Sequence, residues 1–424
     1  MSGNRVVITG MGAVTPLGNG VRDTWRGLCE GRSGIGPITL FDAGSFPTQI
    51  AGEVKKNDFS RWQKTGGKKG RNSLFALEAA EEALREAGLK DHCLDPARVG
   101  IYFGAGDGGF DFEEYASVLT DSIEENESVD PSRYLANSLK QINPKTLLEQ
   151  EPFQVINHLS EAFNAHGVVS NCLTACAASS QAVGEAACII RRGDADVMVT
   201  GGAHSMIHPL GLAGFNLLTA LSTRNDAPQK ASRPFDRERD GFVLSEGAGV
   251  LVLESLEHAQ KRNAPVLAEL IGYGGSADAF RLTDPHTEGR GAIQAMRAAL
   301  KNARTDVKDI DYINAHGTST QLNDQIETRS VKKMFGDSAK NIPMSSIKSM
   351  LGHMIAAAGA VELISSVLTI REGIIPATIN YENPDPDCDL DYVPNAARKQ
   401  KIKTVLSNSF GFGGQNITLI VRQF

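Results

Sequence analysis

The chain has 424 residues, 41% of them hydrophobic, and no low-complexity linker, so it holds enough apolar material for one compact body of two fused halves. Its formal net charge of −7 lacks the basic footprint of a nucleic-acid binder. No basic, apolar and small-residue leader opens it and no run reaches the ~18 apolar residues that a bilayer span needs, so a soluble, cytoplasmic protein is expected.

The first predicted strand, residues 5–9, runs into Gly10-Met11-Gly12, which does not complete a G-x-G-x-x-G phosphate loop. The basic run at 64–71 (Lys64, Lys68, Lys69, Arg71) stands out on an acidic chain. Such runs are usually a solvated face, and here it is also a candidate docking patch for an acidic partner. Apolar positions at spacings of three and four predict a helix over 73–87, and 99–103 reads as a second strand. Residues 104–109 have the literal spacing of a dinucleotide loop but lead into Asp111, Glu113 and Glu114, which would repel a pyrophosphate, so NAD is not expected. From 109 to 154 the pattern loosens into an acidic segment, either a solvated loop with a short helix or a functional element.

An extended Val168-Val169-Ser170 stretch then leads to Leu173-Thr174-Ala175-Cys176-Ala177-Ala178-Ser179-Ser180, a thiol opening a helix of small residues. In such a helix a cysteine is commonly a small core residue. A helix N-terminus also lowers a thiol's pKa, and small neighbours admit a thioester carbonyl, so a thiolate nucleophile is the competing reading of Cys176. Strands are predicted again at 197–200 and 250–254. Between them His204 and His208 have a helical metal-ligand spacing, but no acid or thiol nearby completes a zinc set. The six cysteines (Cys29, Cys93, Cys172, Cys176, Cys188, Cys388) form no C-x-x-C pair, so no structural metal and a reducing compartment are expected. His316 and His353 each follow a β-rich run and sit in a turn beside a glycine. Two such histidines downstream of Cys176 make a Cys/His constellation of the kind nucleophilic catalysis needs.

Alternating strands and helices indicate an α/β fold. There is also a weak internal repeat: 167–203 has a counterpart at 342–376, and 99–104 parallels 310–316. A duplicated unit would bring the turns of Cys176 and His353 to one central interface, with a seam near residue 260.

Six ordered motifs span the chain: V-V-I-T-G-M-G-A-V-T-P-L-G from Val6, T-A-C-A-A-S-S from Thr174, S-R-P-F-D-R-E-R-D-G-F-V-L-S-E-G-A-G from Ser232, A-H-G-T-S-T from Ala315, K-S-M-L-G-H from Lys348 and N-S-F-G-F-G-G from Asn408. On these the sequence resembles the β-ketoacyl-acyl carrier protein synthases of the thiolase superfamily, most like the type II elongating enzymes. The resemblance implies a thiolase-like, five-layered α-β-α-β-α fold from two duplicated halves, 1–260 carrying the nucleophile and 261–424 carrying both histidines. It implies decarboxylative Claisen condensation of an acyl group held on Cys176 with malonyl-acyl carrier protein, giving 3-oxoacyl-carrier and CO2 in fatty acid biosynthesis. Acyl carrier protein is then the partner, its phosphopantetheine arm presents the substrates, the enzyme is a homo- or heterodimer, and it binds no cofactor or metal of its own. In similar proteins the 109–154 region caps the acyl pocket and reaches across the dimer interface.

By the same resemblance the N–H groups of Cys176 and Phe412 form an oxyanion hole. His316 and His353 serve the enolate, both through Nε2–H or one by donation and the other by activating water. Lys348 pairs with Glu362 and holds the histidines. Thr318, Thr320 and Thr283 bond the phosphopantetheine amides, and Phe410, Gly411, Phe412 and Gly413 form a gate. Four departures from the pattern stand out: Asp107 where an aliphatic residue usually lines the acyl pocket, Gln321-Leu322-Asn323 for a Pro-Ala-Gly-like run, Gln415 for Thr or His, and Thr219 for Arg. A carboxylate beside a saturated chain costs on the order of several kcal/mol unless neutral or paired, so a specialised polyketide or polyene ketosynthase, working with a chain-length partner, is the alternative. A degradative thiolase would carry a second cysteine near 410–414, a Cys-His-Asn synthase would have Asn at 353, and a chain-length partner would lack Cys176.

Overall fold

The computed structural model describes residues 4–55, 59–63, 69–89, 94–106 and 111–424. Ten strands carry the architecture: β1 (Val6–Thr15), β2 (Val99–Gly104), β3 (Val169–Cys172), β4 (Val197–His204), β5 (Gly247–Ser255), β6 (Ala268–Ala277), β7 (Tyr312–Asn314), β8 (Met344–Ser345), β9 (Thr404–Gly411) and β10 (Gln415–Arg422). They run in the order β8-β7-β9-β10-β6-β1-β5-β4-β2-β3. Counted outward from the centre, each half uses its strands in the order first, fifth, fourth, second, third. The senses match too: β1/β5 and β5/β4 are antiparallel and β4/β2 and β2/β3 parallel, as are β6/β10, β10/β9, β9/β7 and β7/β8 in turn. The two half-sheets pair where Val7 and Ile8 meet Glu269 and Ala268.

Five helices complete the layers: α1 (Arg71–Glu86), α2 (Ala178–Arg192), α3 (Arg290–Ala303), α4 (Gln321–Phe335) and α5 (Ala358–Glu372). Helix α1 covers the outer face of the first half-sheet, α3 covers that of the second, and α2 and α5 lie between the two half-sheets. The central core accordingly draws Val183 and Ile190 from α2, Leu363 and Val367 from α5, and Met198, Leu251, Val405 and Leu419 from both sheets. Small residues make this sandwich possible. Nearly every residue of α5 is buried, so the helix has no polar face to place, and Ala- and Ser-rich sides let α2 and α5 sit against each other and against strands.

The repeat is visible in local geometry. A three-residue 3-10 turn precedes α2 (Ala175–Ala177) and another precedes α5 (Ile355–Ala357), each helix has 15 residues, and each closes on a left-handed glycine, Gly193 or Gly373. The turn residues Ala175 and Ile355 have φ of 48° and 42°, a conformation that costs an L-residue about 1–2 kcal/mol. In this alignment Cys176 corresponds to Ala356, so His353 lies two residues before the turn rather than in it. It also follows a four-residue helix, Lys348–Leu351, and not a strand directly.

Gly10 and Gly12 serve packing. A Cβ on them would lie 2.0 Å from the Ala83 carbonyl oxygen and 1.8 Å from that of Ala79, so their absence of side chains lets α1 lie flat on β1. The segment after residue 110 holds three helices, Phe112–Thr120, Pro131–Gln141 and Pro144–Leu148, rather than one short helix in a loop. Three of its polar residues are caps: Asp111, Asp130 and Asn143 accept free N–H groups in the first turns of the three. Among the described residues no helix is long and apolar enough to cross a membrane.

Gly12→Ala should lower stability by about 1–3 kcal/mol or more through overpacking, read as the midpoint of urea unfolding. Gly36→Ala, where a Cβ meets nothing within 4 Å, should stay within about 0.5 kcal/mol of the parent. Equal stability of the two variants would mean that α1 is not held against β1 as described.

Candidate active site

Cys176 is buried in the 3-10 turn that leads into α2. Its sulfur faces the backbone N–H groups of Phe412 and of Cys176 itself. The close approach of the β9–β10 turn needs Gly411, where a Cβ would lie 3.3 Å from the Cys176 nitrogen and 2.9 Å from the Thr174 carbonyl oxygen. The expectation of a thiol with lowered pKa is corrected here: burial pushes it up to about 11, against the Phe412 N–H, the Lys348 charge and its own N–H, which lower it. Removing water from a thiolate outweighs what the helix end and one nearby ammonium return.

His316 leaves the end of β7, where its N–H and that of Gly317 donate to the two oxygens of Glu327 on α4 at 2.9 and 2.8 Å. Asn408 on β9 donates to the same carboxylate at 3.2 Å. Burial raises the Glu327 pKa to about 7, opposed by these three donors. Gly317 has φ of 35° and leaves room for Ser346, 2.6 Å from where its Cβ would be. One turn earlier on α4, Asp324 accepts the N–H groups of Thr318 at 3.0 Å and Phe235 at 2.8 Å. Neither acid was found by reading the sequence. The signal was an Asp-x-x-Glu pair on one face of the helix that directly follows the histidine turn, a pattern that ordinary surface helices share.

Lys348 donates to the His316 carbonyl oxygen at 2.7 Å, lies 3.3 Å from His316 Nδ1, and ion-pairs with Glu362 of α5. An ammonium against Nδ1 places the neutral ring's proton on Nε2, free to donate outward. The structure records no bond from Lys348 to His353, so it orients one histidine and not both. His353 is held by its own N–H to the Val243 carbonyl oxygen at 2.7 Å and by Phe242, whose ring centre is 5.3 Å away. Both of its ring nitrogens lack a partner. Burial, then the Lys348 charge, then the other histidine holds the His316 pKa well below the usual value. Burial and Lys348 do the same to His353, with His204 adding to it.

The reactive atoms of Cys176, His316 and His353 lie within 4.8 Å of one another, the single such His/Cys/acid cluster among the described residues. They open onto a cavity of about 300 Å³. Thr318, Thr320 and Thr283 line it, as do Phe410, Gly411 and Phe412, and the hydroxyls of Thr318 and Thr320 are 2.9 Å apart. The Phe410 ring stands 5.8 Å from that of His316. Gly413 is outside the lining; it has φ of 83° and donates to the Leu282 carbonyl oxygen. Of the departures from the pattern, Thr219 and Gln321, Leu322 and Asn323 line the cavity, while Gln415 is paired across the hairpin with Gly411. Asp107 lies outside the described residues.

The basic run does not form the expected patch in its described part. Lys69 is buried and Arg71 reaches inward to the buried Glu246; the rest of the run lies outside the described residues. His208 is not poised for a metal, since its Nδ1 accepts the Gly211 N–H at 3.2 Å and caps the helix Pro209–Leu217.

A thiol with a pKa of about 11 is about one part in ten thousand thiolate at pH 7. Alkylation of Cys176 by iodoacetamide should therefore rise about tenfold per pH unit from pH 7 to 10. A plateau below pH 9, followed by mass spectrometry of the Cys176 peptide, would contradict a buried neutral thiol.

Residues 3–259 match the beta-ketoacyl synthase N-terminal domain and residues 267–382 its C-terminal domain. The chain is 46% identical over 431 residues to a 3-oxoacyl-[acyl-carrier-protein] synthase 2 of Coxiella burnetii, covering 99% of each. Among solved structures it is similar to the ketosynthase of a type II PKS acyl-carrier protein complex bound to the hexaketide, with a TM-score of 0.88 at 35% identity and full coverage of both chains. The ishigamide ketosynthase/chain length factor gives 0.89 at 34%, again over both chains in full. A thiol and two histidines at the meeting point of duplicated halves, under a full-length match in both sequence and architecture, place the chain in the β-ketoacyl synthase family, as a type II β-ketoacyl-acyl carrier protein synthase.

Proposed function

We infer that this chain is a 3-oxoacyl-acyl carrier protein synthase that works through a covalent acyl-Cys176 intermediate. The observation that carries the mechanism is the convergence of one thiol and two unprotonated histidines within 4.8 Å, beside two backbone N–H groups at the sulfur. Cys176 attacks the carrier thioester, and the carbonyl oxygen takes the N–H groups of Cys176 and Phe412. The thiol proton passes through a neutral imidazole to the departing carrier thiol, a route that suits a thiol which is protonated at rest. Malonyl-carrier then enters, CO2 leaves, and the enolate oxygen accepts from His316 Nε2–H and from His353. The enolate carbon attacks the acyl-Cys176 carbonyl, the C–S bond breaks, the Cys176 sulfur leaves as thiolate and takes up a proton from solvent, and 3-oxoacyl-carrier departs. In the dry pocket both histidines stay neutral, so they donate without a formal charge that would trap the malonyl carboxylate.

Lys348 and Glu362 act as a positioning pair for His316, and Thr318, Thr320 and Thr283 hold the phosphopantetheine amides. Phe410 and Phe412 gate the thiol on a turn freed by Gly413 and Gly414, whose φ values are 83° and 75°. The halves are 1–260 and 261–424, and the enzyme works in the cytosol. A dimer is supported by β3, an edge strand whose neighbours Val168 and Leu173 are exposed. A second reading, condensation in a polyketide or polyene pathway, is favoured by the polar Gln321 and Asn323 in the cavity wall and by the similarity to polyketide ketosynthases.

Cys176→Ala should take up no acyl mass from an acyl-carrier thioester and should not condense, while decarboxylation of malonyl-carrier partly survives. Condensation at the parent rate would end the covalent mechanism. His316→Ala and His353→Ala should still load acyl groups in part, but each should lose malonyl decarboxylation by about a hundredfold or more, the usual scale for one oxyanion donor. Release of CO2 at the parent rate from either variant would remove that histidine from the enolate step.

A further inference from the structure

Three elements that line the cavity at Cys176 also carry leucines out to its mouth. Leu218 follows the helix Pro209–Leu217, Leu322 stands in the first turn of α4, and Leu282 precedes Thr283 in the loop after β6. Leu218 and Leu322 are wall residues and yet 48% and 49% exposed, while Leu217 and Leu282, each next in sequence to a wall residue, are 85% and 80% exposed. Phe280, in the loop of Leu282, is exposed as well. A leucine exposed singly is ordinary, but several grouped at one opening mark a surface that another molecule covers.

The opening itself says what covers it. Cys176 is buried, and the cavity of about 300 Å³ above it has room for a phosphopantetheine arm and not for the protein that bears the arm. Thr283 lines the wall one residue after Leu282, and Thr320 lines it two residues before Leu322, so a carrier whose arm meets these threonines sits against the leucines. Charge offers no other hold at this rim. Arg281, beside Leu282, pairs with Asp284 at 3.0 Å, and Arg290, after the same loop, donates to the carbonyl oxygens of Asp278 and Ala279. Thr219, next to Leu218 in the wall, is uncharged, and besides the two neutral histidines the ionisable side chains of the wall other than Cys176 are the acids Asp240, Asp278 and Asp284. An acidic carrier surface gains nothing from these groups.

We propose that the rim formed by Leu217, Leu218, Leu282 and Leu322 is the docking surface for the acyl carrier protein, and that it grips apolar side chains around the carrier's arm-bearing residue rather than the carrier's acids. The assignment rests on the condensing-enzyme reading and deepens it by naming where the carrier is held and by what chemistry. Contacts between exposed charges are screened by salt, whereas burial of leucine is not. An apolar grip is lost instead when the leucines are made polar.

The test measures second-order rate constants for acylation of Cys176 by octanoyl-carrier protein and by octanoyl-pantetheine, which has the arm without the protein. Between about 50 and 500 mM NaCl the parent's constant for the carrier should change by less than about twofold. Leu217→Gln combined with Leu282→Gln, both at exposed positions, should lower that constant about tenfold. The same double variant should keep the parent's Tm and its constant for the pantetheine. A fall of about tenfold with salt, an unchanged carrier constant in the double variant, or an equal loss with both donors overturns the assignment. So does a change in the oligomeric state of the double variant in sedimentation, which would give the rim to a second copy of this chain. A parent that takes acyl mass from neither donor would instead overturn the synthase reading, so the two failures are distinct.

Discussion

Helices α2 and α5 meet end to end where the duplicated halves join, and Ser179 Oγ accepts the N–H of Ala360 at 3.0 Å at that contact. At the next residue, Ser180 bonds Ser409 at 2.8 Å and leaves no space for a Cβ on Gly359, which would lie 2.0 Å from the Ser180 hydroxyl. Large side chains anywhere along this line would drive the turns apart. The contact sets the position of Cys176 at the head of α2, and through Glu362 of α5 it sets the position of Lys348. His316 then follows from Lys348, and the β9–β10 turn is brought over the sulfur through Ser409. Cys176, Lys348, His316 and the β9–β10 turn are thus referred to one packing contact between two Ala- and Ser-rich helices.

Desolvation is the second constraint, and it acts in opposite directions on the two kinds of group. It raises the thiol of Cys176 and lowers both histidines, so all three are uncharged. Beside these neutral groups Lys348 and Glu362 form a buried ion pair. Breaking such a buried pair by removing one partner typically costs about 3–5 kcal/mol, because the remaining charge is left without compensation. The pair is better understood as a fixed support for one imidazole than as a source of stability. Glu327 plays a comparable part on the other side of His316, holding two backbone N–H groups of the turn rather than a side chain.

The same fold explains why its glycine-rich runs are not phosphate loops. Gly10 and Gly12 lie within β1 and admit α1, and Gly104 ends β2 where a Cβ would be 2.4 Å from the Ser179 nitrogen. In both places the backbone of a helix occupies the space a nucleotide would need. Glycine spacing alone does not distinguish close approach of a ligand from close approach of a helix.

The amino-acid sequence by itself determined the α/β class, pointed to an internal repeat, placed the strands at β2, β4 and β5, and singled out Cys176, His316, His353, Lys348 and Glu362 as candidates, which the structure brings together. These were legible because strand and helix periodicities are local, and because a chemically demanding motif keeps its residues together along the chain. The protonation state of Cys176 was misread, since a helix N-terminus is visible in the sequence and the loss of water around a sulfur is not. The attachment of Lys348 to His316 rather than to the nearer His353 was equally hidden, because spacing along the chain says little about which strand end faces an ammonium. Glu327 and Asp324 belong to the same class. Their meaning comes from groups distant in sequence, brought within about 3 Å, and only the packing of the folded chain decided which of them would meet.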